Sequence, residues 1–265
     1  MLRLKGAVVL VTGASSGIGE ATALAFARRK ARIALCARRV DRLNAVAERC
    51  RQAGAREVVV RKADISRPVE ARSFVYAALQ AYDQIDIVVN NAGIGWRGRL
   101  VEMPEEDATS LMHTNVLGSL WVIQAALPSM MSRGSGIIIN VASVVGFRAI
   151  PYSAAYSASK YALVGMSHAL RGELSGTGVK VSVVYPGTTA TEFFGEEGAE
   201  GPIVHSAQHV ANAIIRTARW PRRDTIILPY RLAKLAEPIF GGLLDHVLGE
   251  FRRRQYPELH QPPLD

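Results

Sequence analysis

Cysteine is scarce in this chain, with two among 265 residues, Cys36 and Cys50. They fall in a predicted strand and a predicted helix without metal-ligand spacing. That excludes a disulfide framework and a thiolate metal centre, and reads as reduced structural thiols in a cytoplasmic protein. No run reaches about 18 uncharged apolar residues, so no transmembrane helix is expected. The opening Met-Leu-Arg-Leu-Lys and the apolar run 7–11 only faintly resemble a secretion signal. The run is too short, lacks a small-residue cleavage pattern and leads into a glycine turn, so it reads as a buried first strand. No linker or internal repeat interrupts the middle, and the length suits one large domain.

Acidic residues are few against basic ones, 23 against 32, for a net charge of +9. Such an excess suits nucleic acid, a membrane surface or anionic small molecules. The arginines are scattered, and neither a helix-turn-helix pattern nor an aromatic-interleaved basic stripe occurs, so no nucleic-acid partner is expected. Hydrophobic residues at 49% and charged residues at 21% are those of an ordinary globular protein.

What the chain has in quantity is alternation. Apolar runs at 7–11, 32–36, 57–62, 85–90, 136–141, 179–184 and 225–228 are separated by amphipathic patterns at 18–30, 41–53, 68–82, 105–132, 155–175 and 206–219. Runs apolar throughout indicate strands buried on both faces. Repeated strand–helix alternation predicts an α/β fold: a single Rossmann-type doubly wound parallel sheet of about seven strands flanked by helices. The ligand site of such a sheet lies beyond the carboxyl ends of its strands.

Those ends carry the chemistry. The first strand runs into Thr12-Gly13-Ala14-Ser15-Ser16-Gly17-Ile18-Gly19 and a helix, where glycines admit a phosphate to the backbone and the helix N-terminus favours the anion. The spacing Gly-x-x-x-Gly-x-Gly differs from the Gly-x-Gly-x-x-Gly of ordinary dinucleotide folds. The second strand ends Cys36-Ala37-Arg38-Arg39. NAD-preferring Rossmann proteins usually place an acid near here to bind ribose hydroxyls; two arginines instead suit a 2′-phosphate, so NADP(H) is favoured over NAD(H). Arg39 also fits a solvated helix-entry residue. Asp64 suits either an adenine amine or a helix cap before Pro68. Asn90-Asn91-Ala92-Gly93 serves the sheet as much as a ligand, and Asn115, within a helical pattern, reads as a satisfied core polar group. Ser143 fits both a donor to a substrate oxygen and a loop cap. Pro186-Gly187-Thr188-Thr189-Ala190-Thr191 suits a carboxamide or an ordinary turn.

Tyr156-Ser-Ala-Ser-Lys160 sets a phenol and an ammonium one helical turn apart. A neighbouring cation favours the phenolate, so the spacing predicts a tyrosine pKa lowered toward neutrality and a general acid–base group.

In this order the segments 12–19, 90–93, Asn115, Ser143, 156–160 and 186–191 resemble the short-chain dehydrogenase/reductase family, over roughly residues 5–230. The resemblance implies a nicotinamide-dependent oxidoreductase. Tyr156 would exchange a proton with the carbonyl or alcohol oxygen, Lys160 would lower its pKa and hold the nicotinamide ribose, and Ser143 would polarise the substrate oxygen. Asn115 would hold a water linking Lys160 to solvent. Thr12, Gly13, Ser15, Ser16, Gly17, Ile18 and Gly19 would surround the pyrophosphate and adenosine ribose. Arg38, with Arg39, would meet a 2′-phosphate, although Ser16 stands where many NADP-dependent members carry another basic residue. Asp64 and Ile65 would meet the adenine, and Asn91, Ala92 and Gly93 the cofactor ribose. Pro186, Gly187, Thr189 and Thr191 would reach the carboxamide and diphosphate. No metal is implied.

In the family the segment after the sixth strand governs substrate choice. Here, at 192–205, it carries Phe193 and Phe194 before an acidic, glycine-rich stretch, a pattern that suits a mobile lid or a loop whose phenylalanines enter the core. Trp96, Phe147 and Tyr152 extend the expected apolar pocket, which favours a hydrophobic carbonyl or secondary alcohol. Residues 1–230 are read as the catalytic unit and 231–265 as a C-terminal helical extension and tail. Leu232, Leu235, Ile239, Leu243, Val247 and Phe251 form a helical stripe that Pro238 and Gly241-Gly242 are expected to interrupt. The stripe is expected to cover the pocket or a neighbouring subunit, with docking on an anionic membrane as the less favoured reading. A homodimer or homotetramer through helices 105–132 and 155–175 is implied by the family. The leading function is an NADP(H)-dependent carbonyl reductase or alcohol dehydrogenase. Its alternatives are a 3-oxoacyl-thioester reductase of lipid metabolism and a non-catalytic NADP(H)-binding regulatory or scaffold protein.

Overall fold

The computed structural model describes residues 2–194, 203–227 and 230–256. Its strands are β1 (Val8–Thr12), β2 (Arg32–Ala37), β3 (Glu57–Lys62), β4 (Ile87–Asn90), β5 (Gly136–Val141), β6 (Val179–Tyr185), the short β7 (Thr189–Ala190) and β8 (His205–Ser206), and β9 (Asp224–Ile226). Its helices are α1 (Gly17–Ala27), α2 (Val40–Gln52), α3 (Pro68–Tyr82), α4 (Glu105–Met112), α5 (Gly118–Ser132), α6 (Ala154–Glu173), α7 (Ala207–Arg219) and α8 (Tyr230–Gln255).

Seven strands make one parallel sheet in the order β3-β2-β1-β4-β5-β6-β9, and β7 pairs with β8 separately. The continuous apolar runs have a simple cause. Val9, Val11, Ile33, Leu35, Ile87 and Val89 point to the face covered by α1, α2 and α7. Their neighbours Val8, Leu10, Ala34, Cys36 and Val88 point to the face covered by α3 and α5. With a two-residue side-chain period, a sheet covered on both faces needs apolar side chains at every position.

The order reverses between β1 and β4, and their register, Val11 against Val89, brings the two strand ends level. That reversal is the crevice in which doubly wound sheets bind ligands.

Three elements depart from expectation. The pattern at 105–132 is not one helix, because a π-helical turn, His113–Leu117, separates α4 from α5. Such wide turns are rare and concentrate at functional sites. The C-terminal stripe is one helix, Tyr230–Gln255, running through Pro238 and the glycine pair. A proline removes one backbone hydrogen bond, a cost that packing along the rest of a long helix can offset. The last sheet strand is Asp224–Ile226 rather than 225–228, of which Leu228 lies outside the described residues. Among the described residues no helix is long and apolar enough to cross a membrane. Both cysteines are buried and unpaired, and burial pushes the Cys50 thiol up to about 11.

Candidate active site

A cavity of about 930 Å³ opens along the carboxyl ends of the strands, running from the glycine turn and the end of β2 past Tyr156 to α8.

The glycine turn is fixed by its neighbours. Gly13 and Gly17 take positive φ, +64° and +56°, which side chains other than glycine resist. A Cβ on Gly19 would strike the Gly13 carbonyl and come within 2.6 Å of the Asn91 amide nitrogen. Asn91 holds the turn, donating from Nδ2 to the Thr12 and Gly13 carbonyls at 3.0 and 3.2 Å. Thr12 Oγ1 accepts from the backbone of both Asn91 and Ala92 at 3.0 Å. Thr12 and Gly19 thus form the wall behind the cavity, whereas Gly13, Ser15, Ser16, Gly17 and Ile18 line it. The N-terminal amides of α1 carry no side-chain cap from Ser16, which stands in extended conformation. A phosphate accepting from free helix N-terminal amides is the chemistry this geometry offers.

At the end of β2, Arg38 is exposed on the cavity wall. Arg39 is more than a solvated helix-entry residue: its guanidinium folds back over the turn, donating to Ser16 Oγ at 2.7 Å and to Glu192 Oε2 at 3.0 Å. It therefore delivers positive charge to the place of Ser16, the position at which the resemblance expects a base. Asp64 lines the cavity and does not cap α3, whose N-cap is Arg67; its carboxylate accepts from Ser66 N at 2.9 Å in a local turn. Ile65 lies beside it, packed on Gly118. Ala92 and Gly93 line the floor, and Asn90 turns away to donate to Asn140 at 2.9 Å within the sheet.

The four candidate catalytic residues converge. Tyr156 and Lys160 lie on α6 and face the cavity, and Ser143 follows β5. The Tyr156 hydroxyl shares a hydrogen bond with Ser143, whose Oγ also accepts from Val145 N at 3.3 Å. Lys160 Nζ donates to the Val141 carbonyl at 3.2 Å and stands 5.9 Å from the Tyr156 ring centre. Asn115, completely buried in the π turn, joins two segments: Oδ1 accepts from Ile94 N at 2.8 Å, and Nδ2 donates to Ile94 O at 2.9 Å and Ser159 Oγ at 3.0 Å. It lies behind the cavity wall, and a Cβ on Gly93 would come 3.0 Å from Asn115 Oδ1 and 3.5 Å from Lys160 Nζ. A side chain at position 93 would therefore crowd both polar groups.

The pKa of Tyr156 moves opposite to expectation. Burial pushes it well above the usual phenol range and the Ser143 hydrogen bond opposes this only in part. The spacing on α6 leaves Lys160 Nζ 5.9 Å from the Tyr156 ring centre, but desolvation acts on both groups and lowers the Lys160 amine to about 8.

Pro186, Gly187, Thr189 and Thr191 close the far side. Gly187 is in contact with the Tyr230 ring, and Thr191 packs its methyl 2.9 Å from where a Gly17 Cβ would stand. Trp96, Phe147 and Tyr152 do not line the cavity. Phe147 stacks edge-on with Tyr185 at 5.7 Å in the core, Trp96 packs behind Tyr156, and Tyr152 turns the chain at φ +61°. The apolar rim comes instead from Ile94, Val145, Ile150, Phe193 and, on α8, Val247 and Phe251. Phe193 lies against the Tyr156 ring, centres 5.7 Å apart. Of the expected lid, residues 195–202 lie outside the described residues, as do 257–265 of the tail.

Glu192 and Arg42 are partners at the basic strand end that no sequence pattern marks. Glu192 accepts from Arg42 Nη1 at 2.9 Å on Oε1 and 2.6 Å on Oε2, and no local pattern announces a contact across 150 residues.

Fold and cavity together define a Rossmann-type protein whose dinucleotide-sized groove ends at a tyrosine–lysine–serine group. The glycines that keep the groove open and the uncapped helix terminus fit a nicotinamide dinucleotide. The short chain dehydrogenase profile matches residues 7–201, and the chain belongs to that family of oxidoreductases. It is 41% identical over 191 residues to 17-beta-hydroxysteroid dehydrogenase 13 of Rattus norvegicus, covering 71% of this chain and 63% of that one. It thus spans under two thirds of that relative's length. The ketoacyl reductase HetN of Nostoc is 32% identical over 231 residues, covering 86% and 80%. Among solved structures, a short-chain dehydrogenase of Sphingobium yanoikuyae in complex with NADPH superposes with a TM-score of 0.79 at 32% identity, over 90% of this chain and 96% of that one.

Proposed function

We propose that the protein is an NADP(H)-dependent oxidoreductase that interconverts a carbonyl and a secondary alcohol on a hydrophobic substrate. The observation that carries this reading is the Tyr156–Ser143 hydrogen bond, which lies in the same cavity as the glycine turn and the arginines after β2. When bound, a nicotinamide supplies the hydride. Tyr156, protonated because its burial disfavours the phenolate, donates its proton to the carbonyl oxygen. Ser143 donates to the same oxygen and fixes its direction. Lys160 holds the nicotinamide ribose and, cationic once paired with it, stabilises the phenolate left behind. Asn115 positions Gly93 and Ile94 and, through Ser159, the α6 turn that carries both reactive groups. Arg38 and Arg39 favour the 2′-phosphorylated cofactor. Two relatives, the solved structures in complex with NADPH and with NADP, support the cofactor; a third, solved with NAD, leaves the choice to the arginines.

The apolar rim formed by Ile94, Val145, Ile150, Val247 and Phe251 favours a bulky hydrophobic ketone or alcohol. The likeness to the ketoacyl reductase of Nostoc supports a second reading, reduction of a 3-oxoacyl thioester. A carbonyl panel of aromatic and alicyclic ketones and acetoacetyl thioesters, followed by NADPH absorbance, decides between them. Tyr156→Phe is expected to lower kcat about a hundredfold or more while NADPH still binds within about threefold, as loss of a general acid requires. Unchanged turnover in that variant overturns the proposal, and NADPH binding without turnover of any carbonyl supports a scaffold role instead. We also expect a homodimer or homotetramer through α4, α5 and α6, read by light scattering.

A further inference from the structure

The basic end of the cofactor groove already has an anion in it. Arg39 donates to Glu192 Oε2 at 3.0 Å and Arg42 reaches both carboxylate oxygens, at 2.9 and 2.6 Å. Arg39 at the same time bonds Ser16 Oγ at 2.7 Å, on the glycine turn itself. The carboxylate therefore occupies the space between the turn and α2, beside the cavity wall on which Arg38 and Arg39 stand. Glu192 arrives from the opposite side of the groove, directly after Thr191, which packs against Gly17.

We propose that Glu192 is a cofactor-specificity residue, an internal competitor for the arginines that receive an adenosine 2′-phosphate. A 2′-phosphate brings about two negative charges and three acceptor oxygens, and next to a carboxylate it meets like-charge repulsion. It must therefore displace Glu192 from Arg39 and Arg42. A cofactor with free ribose hydroxyls has no such need, and can itself donate a hydroxyl hydrogen to the carboxylate in place. The displacement is feasible because the bridge is exposed: the side chains of Arg39, Arg42 and Glu192 are 47%, 52% and 59% accessible, and such pairs hold weakly in water. The arrangement makes the groove tolerant of both cofactors and lowers the advantage the arginines would otherwise give NADP(H). This inference rests on the proposal that the groove takes a 2′-phosphorylated nucleotide.

The test uses fragments that report the adenosine end alone. Adenosine 2′,5′-bisphosphate and adenosine 5′-monophosphate are titrated by calorimetry into the full chain, its Glu192→Gln variant and its Arg42→Gln variant. Glu192→Gln is expected to tighten the bisphosphate about five- to tenfold, the scale of removing one exposed like charge at contact distance. The monophosphate should stay within about twofold or weaken. Arg42→Gln should weaken the bisphosphate selectively, which shows that the arginine belongs to the phosphate site rather than only to the bridge. If the wild type prefers the bisphosphate but Glu192→Gln leaves its affinity unchanged or reduces it, this inference fails and the NADP(H) reading stands. If the wild type shows no preference for the bisphosphate and neither variant creates one, both fail.

Discussion

At Lys160 burial strips a primary ammonium of its hydration and lowers its pKa to about 8 from an ordinary 10.5. Between these values the unfolded chain binds a proton that the folded one does not, so stability rises with pH through the window from about 8 to 10.5. Below it the full cost of burying the charge applies. Lys160→Met should therefore stabilise the cofactor-free protein at pH 7, by on the order of 2 kcal/mol, because a buried charge is exchanged for an apolar chain of similar length. The gain should shrink as pH is raised across the window. Denaturant melts of both proteins at a series of pH values check this, and the same variant should lose turnover. A gain independent of pH would show that packing rather than charge sets the difference. Tyr156 carries the complementary cost: burial keeps its phenol protonated, which suits a proton donor waiting for a carbonyl.

At the scale of elements, α8 is tied to the sheet near its start and to the cavity rim in its last turns. Lys234 near its start donates to Asp224 of β9 at 3.3 Å and lies over the rings of Tyr185 and Phe147. Asp224 also accepts from the Tyr185 hydroxyl at 3.2 Å, and His168 stands 3.5 Å away. Burial pushes the Asp224 carboxyl up, but Lys234, His168 and Tyr185 outweigh it and hold it below its ordinary value. Further along, Asp245 accepts from Arg148 at 2.5 Å, and Val247 and Phe251 reach the rim while remaining about half exposed. Asp224→Asn keeps the shape but removes the charge that Lys234 needs, a loss of about 1–2 kcal/mol for a partly buried charged bond. It should speed hydrogen exchange in α8 and raise KM for the proposed carbonyl several-fold, with a smaller effect on NADPH affinity, since Val247 and Phe251 form part of the rim proposed for the substrate and Tyr230 touches Gly187. Equal losses at both ends of the groove would place α8 differently in the reaction.

The same elements show what a sequence makes legible. The glycine turn was readable because its strand, glycines and helix are contiguous, and the sheet because burial on both faces leaves unbroken apolar runs. Asn115 read as a bland helical polar group, since a π turn has no local signature and its partner Ile94 is distant in sequence. The direction of the Tyr156 pKa is not legible in the sequence, because spacing constrains the approach of Lys160 but not the desolvation around the phenol. Glu192 was invisible for a related reason: its role depends on a loop crossing the groove to meet α2.

For the whole molecule the relevant quantity is the field at the mouth of the groove. The chain carries a net charge of +9, and three arginines, Arg38, Arg39 and Arg42, cluster after β2 with Glu192 as the acid bonded to two of them. A polyanionic cofactor approaching from solvent is drawn by that field over distances greater than any single contact, and salt shortens the reach from about 30 Å at 0.01 M to about 8 Å at 0.15 M. The extra charge of a 2′-phosphate makes NADPH feel it more than NADH. Association of NADPH, followed by stopped-flow quenching of Trp fluorescence or energy transfer to the nicotinamide, should therefore slow several-fold between about 0.02 and 0.5 M salt. NADH should slow less, and the dissociation rates should change little for either, because salt screens the approach more than the closed contacts. Arg38→Gln should bring the two cofactors' salt slopes together. Parallel slopes in the wild type would mean that the basic cluster does not sense the 2′-phosphate during approach, and any preference for the 2′-phosphorylated cofactor would then have to arise only after docking, where Arg39, Arg42 and Glu192 meet.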